Sequence, residues 1–102
     1  MKIELDREER FVHYEDDHKH VIDRTYSVTD RWGVDYTIYF REYEHEPTML
    51  YWVEKNDDED YLVHKSVTFN PRGEVVNMIE HSEMVQECLE VQGFRRYGER
   101  CL

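Results

Sequence analysis

The sequence predicts an α+β domain in which an antiparallel β-meander of about five strands packs on a C-terminal helix, with a short helix at the N-terminus. Apolar and polar residues alternate through the middle of the chain, as in strands with one buried face. The spacing of apolar residues becomes helical after residue 80. The 102 residues include only four Gly and two Pro, so the connections are short. This length suits a single domain, residues 1–102.

The N-terminal stretch is open to two interpretations. Asp6 is a suitable N-cap for a short helix that ends near Tyr14. Residues 11–14 could instead form an edge strand. We predict the helix.

The strands are predicted from alternation in the middle of the chain. The segment from Trp32 to Tyr43 alternates most clearly, and one of its faces consists of Trp32, Val34, Tyr36, Ile38 and Phe40. The other predicted strands are His20 to Asp30, Met49 to Glu54, Tyr61 to Phe69 and Glu74 to Ile79. The polar segment from Asn56 to Asp60 is a predicted hairpin loop, and Asn70 to Gly73 form a predicted type I turn.

The C-terminal helix is predicted from its caps and its apolar stripe. Ser82 is a suitable N-cap. Gly93 is typical of a helix end, and Phe94 follows where a Schellman motif makes its hydrophobic contact. The stripe consists of Met84, Val85, Cys88 and Leu89.

The charge is strongly negative and unevenly distributed. The chain has 24 Asp and Glu against 13 Lys and Arg, for a formal net charge of −11. Residues 1–60 hold 18 of the acids and 8 of the bases. Such a field repels nucleic acid and attracts basic surfaces, so direct nucleic-acid binding is not expected.

The sequence also indicates a location. It contains no apolar run long enough to span a membrane, and the N-terminus lacks the apolar region of a signal peptide. Two cysteines do not form a secreted disulfide framework and are typical of reduced cytosolic thiols. We therefore expect a cytoplasmic protein without a membrane partner.

Two segments have the composition of a metal site. Residues 13–20 hold three His and three acids, and His18 and His20 would point the same way on a strand. Zinc would need further ligands that the sequence does not supply, so a solvated acidic loop is the better interpretation. Asn56 to Asp60 resembles half of a calcium loop but lacks its Gly and distal Glu. No metal and no other cofactor is predicted.

Catalytic candidates lack their usual surroundings. Cys88 lies on the predicted core stripe, and Ser66 and Ser82 have no Gly-rich elbow. His81 precedes the predicted helix, where a cap or surface role is usual. We predict that the protein is not an enzyme.

Aromatic residues interleaved with acids are the better candidates for function. Tyr39 and Tyr43 fall on the predicted outer face, where they could anchor a partner or shield the sheet. The acids predicted to contact a basic partner are Glu15, Asp16, Asp17, Glu42, Glu44, Glu46, Asp57, Asp58, Glu59 and Asp60. Adjacent acids at a loop tip can mimic a run of phosphates.

In its size, charge, lack of a catalytic motif and aromatic–acidic mixture, the chain resembles the small acidic inhibitors of phages and mobile elements. These include anti-CRISPR proteins, anti-restriction DNA mimics and immunity proteins against nuclease toxins. The resemblance implies an inhibitor that occupies the phosphate-binding surface of a nucleic-acid-handling complex in the cytoplasm of a bacterial or archaeal host. The alternative is a structural or subunit-interaction domain that forms a homodimer through the exposed sheet face or an edge strand, its acidity serving solubility. A third class is a small metal-dependent enzyme that uses residues 13–20.

Overall fold

The computed structural model describes residues 1–13, 19–78 and 83–94. Within these ranges six antiparallel strands form one sheet in chain order. The strands are β1 (Lys2–His13), β2 (Lys19–Thr29), β3 (Asp35–Tyr43), β4 (Thr48–Lys55), β5 (Asp58–Phe69) and β6 (Val75–Met78). A nine-residue helix, α1 (Glu83–Val91), follows.

The predicted helix-packed α+β class is wrong, because the molecule is mainly an antiparallel sheet. Three residues of α1, Val85, Cys88 and Leu89, belong to the buried cluster of the sheet. Nine residues nevertheless span only about 14 Å as a helix, whereas the described part of the molecule extends over 41 × 38 × 22 Å. The short helix therefore cannot form a layer that covers the sheet. It also lacks the length and apolar character needed to cross a bilayer, and the described residues contain no helix that has them.

The predicted N-terminal helix is also wrong, because residues 2–13 form the edge strand β1. This strand pairs with β2 along its length, and a bulge interrupts the pairing between Leu5 and Arg7. The bulge moves later side chains to the opposite face, so the alternation that identifies a strand is broken in the sequence.

The buried cluster lies on one face of the sheet. It is formed mainly by Tyr26, Val28, Ile38, Phe40, Met49, Tyr51, Val53, Val67, Phe69 and Val75 of the strands. Aromatic rings pack edge to face within it, with 5.7 Å between the ring centroids of Tyr26 and Phe40. We call the other face, which carries Thr25, Tyr39 and Trp52, the open face.

The predicted C-terminal end of α1 and the predicted turn of the last hairpin are confirmed. The backbone N–H of Phe94 donates to the Leu89 carbonyl at 3.0 Å, and that of Gly93 donates to Glu90 at 3.0 Å. These are the two hydrogen bonds of a Schellman motif. The turn at residues 70–73 is closed by Asn70, whose carbonyl accepts the N–H of Gly73 at 3.0 Å. Ser82 and Ile79 lie outside the described residues.

Trp32 and Val34 lie in a turn instead of the predicted strand face. Asp30 Oδ1 accepts the backbone N–H groups of Trp32 and Val34 at 2.9 Å each. Gly33 supplies the positive φ of 80° that the turn needs. This turn leaves the Trp32 side chain 77% exposed.

Candidate partner-binding surfaces

The open face carries a row of side chains that crosses the sheet from strand to strand. The strand registers place Thr25 opposite Tyr39, Tyr39 opposite Trp52 and Trp52 opposite His64. Arg7 of β1 lies opposite Thr25 at the start of the row. Facing side chains on adjacent strands are close enough to contact one another. The Trp52 and His64 rings stack with 4.8 Å between their centroids.

A concavity of about 360 Å³ opens at Thr25, and we call it the Thr25 notch. Thr25 has a shorter side chain than Arg7 and Tyr39, its neighbours in the row, so it forms the low point between them. The notch is lined by Arg7, Glu9, Asp23, Arg24, Thr25, Tyr39, Phe40, Arg41, Trp52 and Glu54.

The charges around the Thr25 notch are compensated unevenly. Arg41 donates two hydrogen bonds of 2.8 Å to the two oxygens of Asp23. These bonds raise the pKa of the Arg41 guanidinium, against an opposing effect of burial. Arg7 pairs with Glu9 in the same way that other exposed charges on β1 pair. Arg7 and Arg41 are therefore neutralised by neighbouring carboxylates, and the third arginine that lines the notch, Arg24, pairs with Glu42 on the helix side of the sheet.

Glu54 differs from the other two acids of the notch. Its Oε2 accepts a hydrogen bond of 3.3 Å from the Tyr39 hydroxyl, and no cation within the described residues forms an ion pair with it. Burial, followed by the neighbouring Glu54 carboxylate, raises the pKa of Tyr39. Tyr39 therefore stays a neutral donor, and the charge of Glu54 is free to attract a cation.

A second surface lies at the end of the sheet that carries the β2–β3 connection, residues 30–34, and the β4–β5 connection with the strand residues beside it, residues 55–62. We call it the hairpin end. Asp57, Asp58, Glu59 and Asp60 are all exposed there. None of these four carboxylates forms an ion pair within residues 1–13, 19–78 and 83–94. Several acids elsewhere do, as shown by the pairs Glu4–Lys2, Glu46–Lys19 and Glu42–Arg24.

Large apolar side chains accompany the acids at the hairpin end. Trp32 is 77% exposed, Leu62 60% and Tyr61 38%. The Arg31 guanidinium carbon lies 5.1 Å from the Trp32 ring centroid. Tyr36 packs against Tyr61 with 6.0 Å between ring centroids, which holds one side of the group in place.

The structure separates several acids that the sequence grouped together. Glu44 and Glu46 lie in the β3–β4 turn, at the opposite end of an eight-residue strand from the hairpin end, and thus about 25 Å away. Glu42 turns to the helix side, where it accepts a 2.8 Å hydrogen bond from Arg24. Tyr39 and Tyr43 are half-buried and share the open face, and Glu15, Asp16 and Asp17 lie outside the described residues.

Trp52, His64, Thr25 and Trp32 did not emerge as site residues from the sequence. Alternation in β4 places Trp52 and Glu54 on the same face, which would have indicated their proximity. The Asp-x-x-Gly spacing of residues 30–33 matches the predicted turn at Asn70 to Gly73 and would have indicated that Trp32 lies in a loop. The register that brings Trp52 beside Tyr39 is not readable from either segment alone.

Metal ligands do not cluster within the described residues, where no group of three His, Cys, Asp or Glu side chains could hold an ion. Most of the His- and acid-rich segment of residues 13–20, which the sequence does not support as a metal site, lies outside them. Comparison with known proteins finds no matching family model, no similar curated protein and no similar solved structure. A function must therefore be inferred from the two surfaces themselves.

Proposed function

We propose that this protein is a non-catalytic inhibitor that binds a basic, phosphate-binding surface of a nucleic-acid-handling complex through its hairpin end. The observation that supports this most directly is the run of four exposed carboxylates, Asp57 to Asp60, without an ion pair in the described structure. Compensated acids contribute little to a long-range field, whereas uncompensated ones attract lysine and arginine side chains. The proposed setting is the cytoplasm of a bacterial or archaeal host.

The hairpin end combines the two properties that a tight complex needs. Its carboxylates would steer the encounter with a basic surface and raise the association rate. Trp32, Tyr61 and Leu62 would be desolvated in the complex and slow its dissociation, because buried aromatic residues supply much of the binding free energy at interfaces. Acids alone would give a weak, salt-sensitive contact.

This geometry changes which of the predicted partner residues are the strongest candidates for contact. Asp57, Asp58, Glu59 and Asp60 become the main candidates for contact. Glu42 is held by Arg24, and Glu46 is held by Lys19, so neither is proposed as a primary contact. Glu44 lies within 4 Å of two histidines, His20 at 3.9 Å and His45 at 3.2 Å.

The homodimer alternative is less well supported at the edge strand. β1 carries charged side chains along most of its length and contains a bulge. Both features protect an edge against pairing with another strand. A dimer through β1 is therefore not expected, and a stable dimer by light scattering that is unaffected by salt would favour the alternative.

The proposal is tested by neutralising the four carboxylates with Asp57→Asn, Asp58→Asn, Glu59→Gln and Asp60→Asn together. The wild-type protein is first used to capture a target from lysates of cells with defence systems, at low and high salt. The affinity of the purified target for each form is then measured over a range of salt concentrations. We expect the variant to bind about tenfold or more weakly and with a smaller salt dependence.

A matched control removes the same number of charges from acids that are already paired. The substitutions Glu4→Gln, Glu8→Gln, Glu42→Gln and Glu46→Gln change the net charge by the same amount and leave the acids of the Thr25 notch in place. This control should keep most of the affinity. Equal losses in both variants would show that only net charge matters and would overturn the assignment to the hairpin end. Failure of DNA to compete with binding would overturn the phosphate-binding target.

A further inference from the structure

The Thr25 notch lies next to the hairpin end on the same sheet. Glu54 forms the wall nearest that end, and it pairs in register with Leu62, one of the exposed apolar residues there. A partner that extends from the hairpin end along the open face would therefore reach the mouth of the notch. The volume of about 360 Å³ is large enough for one long side chain.

The walls of the notch are suited to a planar cation. Tyr39 and Trp52 line the notch with aromatic rings, and because His64 stacks on one face of Trp52, the opposite face is the one left to attract a cation. Glu54 supplies a carboxylate without an ion pair in the described structure. Taking all charged groups that line the notch, three carboxylates face three guanidinium groups, and Arg24 is paired with Glu42 away from the open face. The charge that remains uncompensated at the notch is that of Glu54.

We propose that the Thr25 notch binds an arginine side chain of the basic partner protein. A guanidinium group is flat, so it can stack on an aromatic ring while it donates two parallel hydrogen bonds to a carboxylate. A lysine ammonium group is compact and strongly hydrated, and it would gain less from the same walls. This inference rests on the proposed function, because it takes the partner to be a basic protein.

The occupant is tested with two probes of equal charge, a hexa-arginine peptide and a hexa-lysine peptide. Binding is followed by nuclear magnetic resonance of the full chain, with the Trp52 indole N–H and the Thr25 amide reporting on the notch. We expect hexa-arginine to shift both signals and to bind about tenfold more tightly than hexa-lysine. Equal affinities, or unshifted notch signals at saturation, would overturn the proposal.

Variants of the notch separate its role from folding. Thr25→Leu fills the low point with a larger side chain, and Glu54→Gln removes the carboxylate charge while keeping its shape. Each should abolish most of the preference for hexa-arginine, whereas Trp52→Phe, which keeps an aromatic face, should retain part of it. Thr25→Ser is the conservative control and should behave as the wild type. A preference for arginine that survives Thr25→Leu in a folded protein would overturn the proposal.

The two proposals fail in different ways. The four-fold neutralised hairpin end leaves the notch intact, so it should weaken both peptides equally and preserve the preference for arginine. Loss of that preference in this variant would overturn the notch assignment. The opposite outcome is also possible to recognise. If the protein prefers hexa-arginine but neutralising the hairpin end does not change its affinity for the target, the proposed function is overturned and the notch assignment stands.

Discussion

At the scale of single residues, Cys88 shows how the sheet controls the chemistry of the short helix. Its side chain is fully buried in α1. Burial, followed by repulsion from Glu87, raises the pKa of the Cys88 thiol to about 12. A thiol with this pKa is neither a nucleophile nor a metal ligand at neutral pH, because both roles require the thiolate.

This burial predicts a loss of stability at alkaline pH. The unfolded thiol ionises near pH 9 while the native thiol stays protonated, so the unfolded state binds fewer protons as pH rises. The contribution is absent below about pH 8 and grows until the native thiol ionises. By about pH 10.5 it should lower the free energy of unfolding by about 2 kcal/mol. The decrease in the free energy of unfolding is measured by urea unfolding at about pH 8 and about pH 10.5, in a Cys101→Ser background.

Cys88→Ala provides the comparison for this prediction. The variant loses the titrating thiol but keeps the tyrosines and lysines, which also ionise in this range. It should be less stable at neutral pH and should lose less stability on going to alkaline pH. Parallel pH dependence in both proteins would show that the thiol does not titrate between the two states.

At the scale of elements, the turn of residues 30–34 controls where Trp32 is displayed. In this turn the backbone N–H groups of Trp32 and Val34 both donate to one carboxylate oxygen of Asp30. Asp30→Ala removes that acceptor and should lower the free energy of unfolding by about 1–2 kcal/mol. Asp30→Asn keeps an acceptor oxygen and should cost much less. Thermal unfolding measures the difference, and equal losses would contradict the role of the side-chain oxygen.

The elements also show which parts of the fold a sequence can reveal. Alternation identified β3 and β4 because each keeps one phase from end to end. It failed at β1, where the bulge after Leu5 breaks the phase and charged residues occupy both faces. The predicted loop from Asn56 to Asp60 proved too long, because β5 begins at Asp58. Acidic composition suggested a loop, but Asp58 already pairs with Lys55 of β4 and regular pairing resumes at Leu62.

At the scale of the whole molecule, the net charge can be counted from the sequence, but which acids form ion pairs cannot be read from it. Asp23 and Glu42 each meet an arginine on a neighbouring strand, eighteen residues away in the chain. Asp57 to Asp60 meet none in the described structure. Which acids are paired depends on strand register, and register depends on contacts along entire strands. Net charge therefore predicted an acidic binding protein, whereas the surface that would bind emerged only from the fold.

The uncompensated acids predict a conflict between stability and binding. Four adjacent carboxylates at the hairpin end repel one another, and the repulsion is strongest at low ionic strength. Neutralising Asp57, Asp58, Glu59 and Asp60 should therefore raise the melting temperature by about 2–4 °C at low salt. The gain should nearly vanish at high salt, where ions screen the repulsion.

The same charge change in paired acids has the opposite expected effect. Glu4→Gln, Glu8→Gln, Glu42→Gln and Glu46→Gln together remove attractive contacts to Lys2, Arg10, Arg24 and Lys19. These substitutions should leave the melting temperature unchanged or lower it, even though they reduce the net negative charge as much as the hairpin-end substitutions do. Differential scanning calorimetry at two salt concentrations compares the variants. If both sets raised the melting temperature equally, the stability would depend on net charge alone. A rise confined to the hairpin end would show that its acids are retained at a cost in stability, as expected of residues kept for binding.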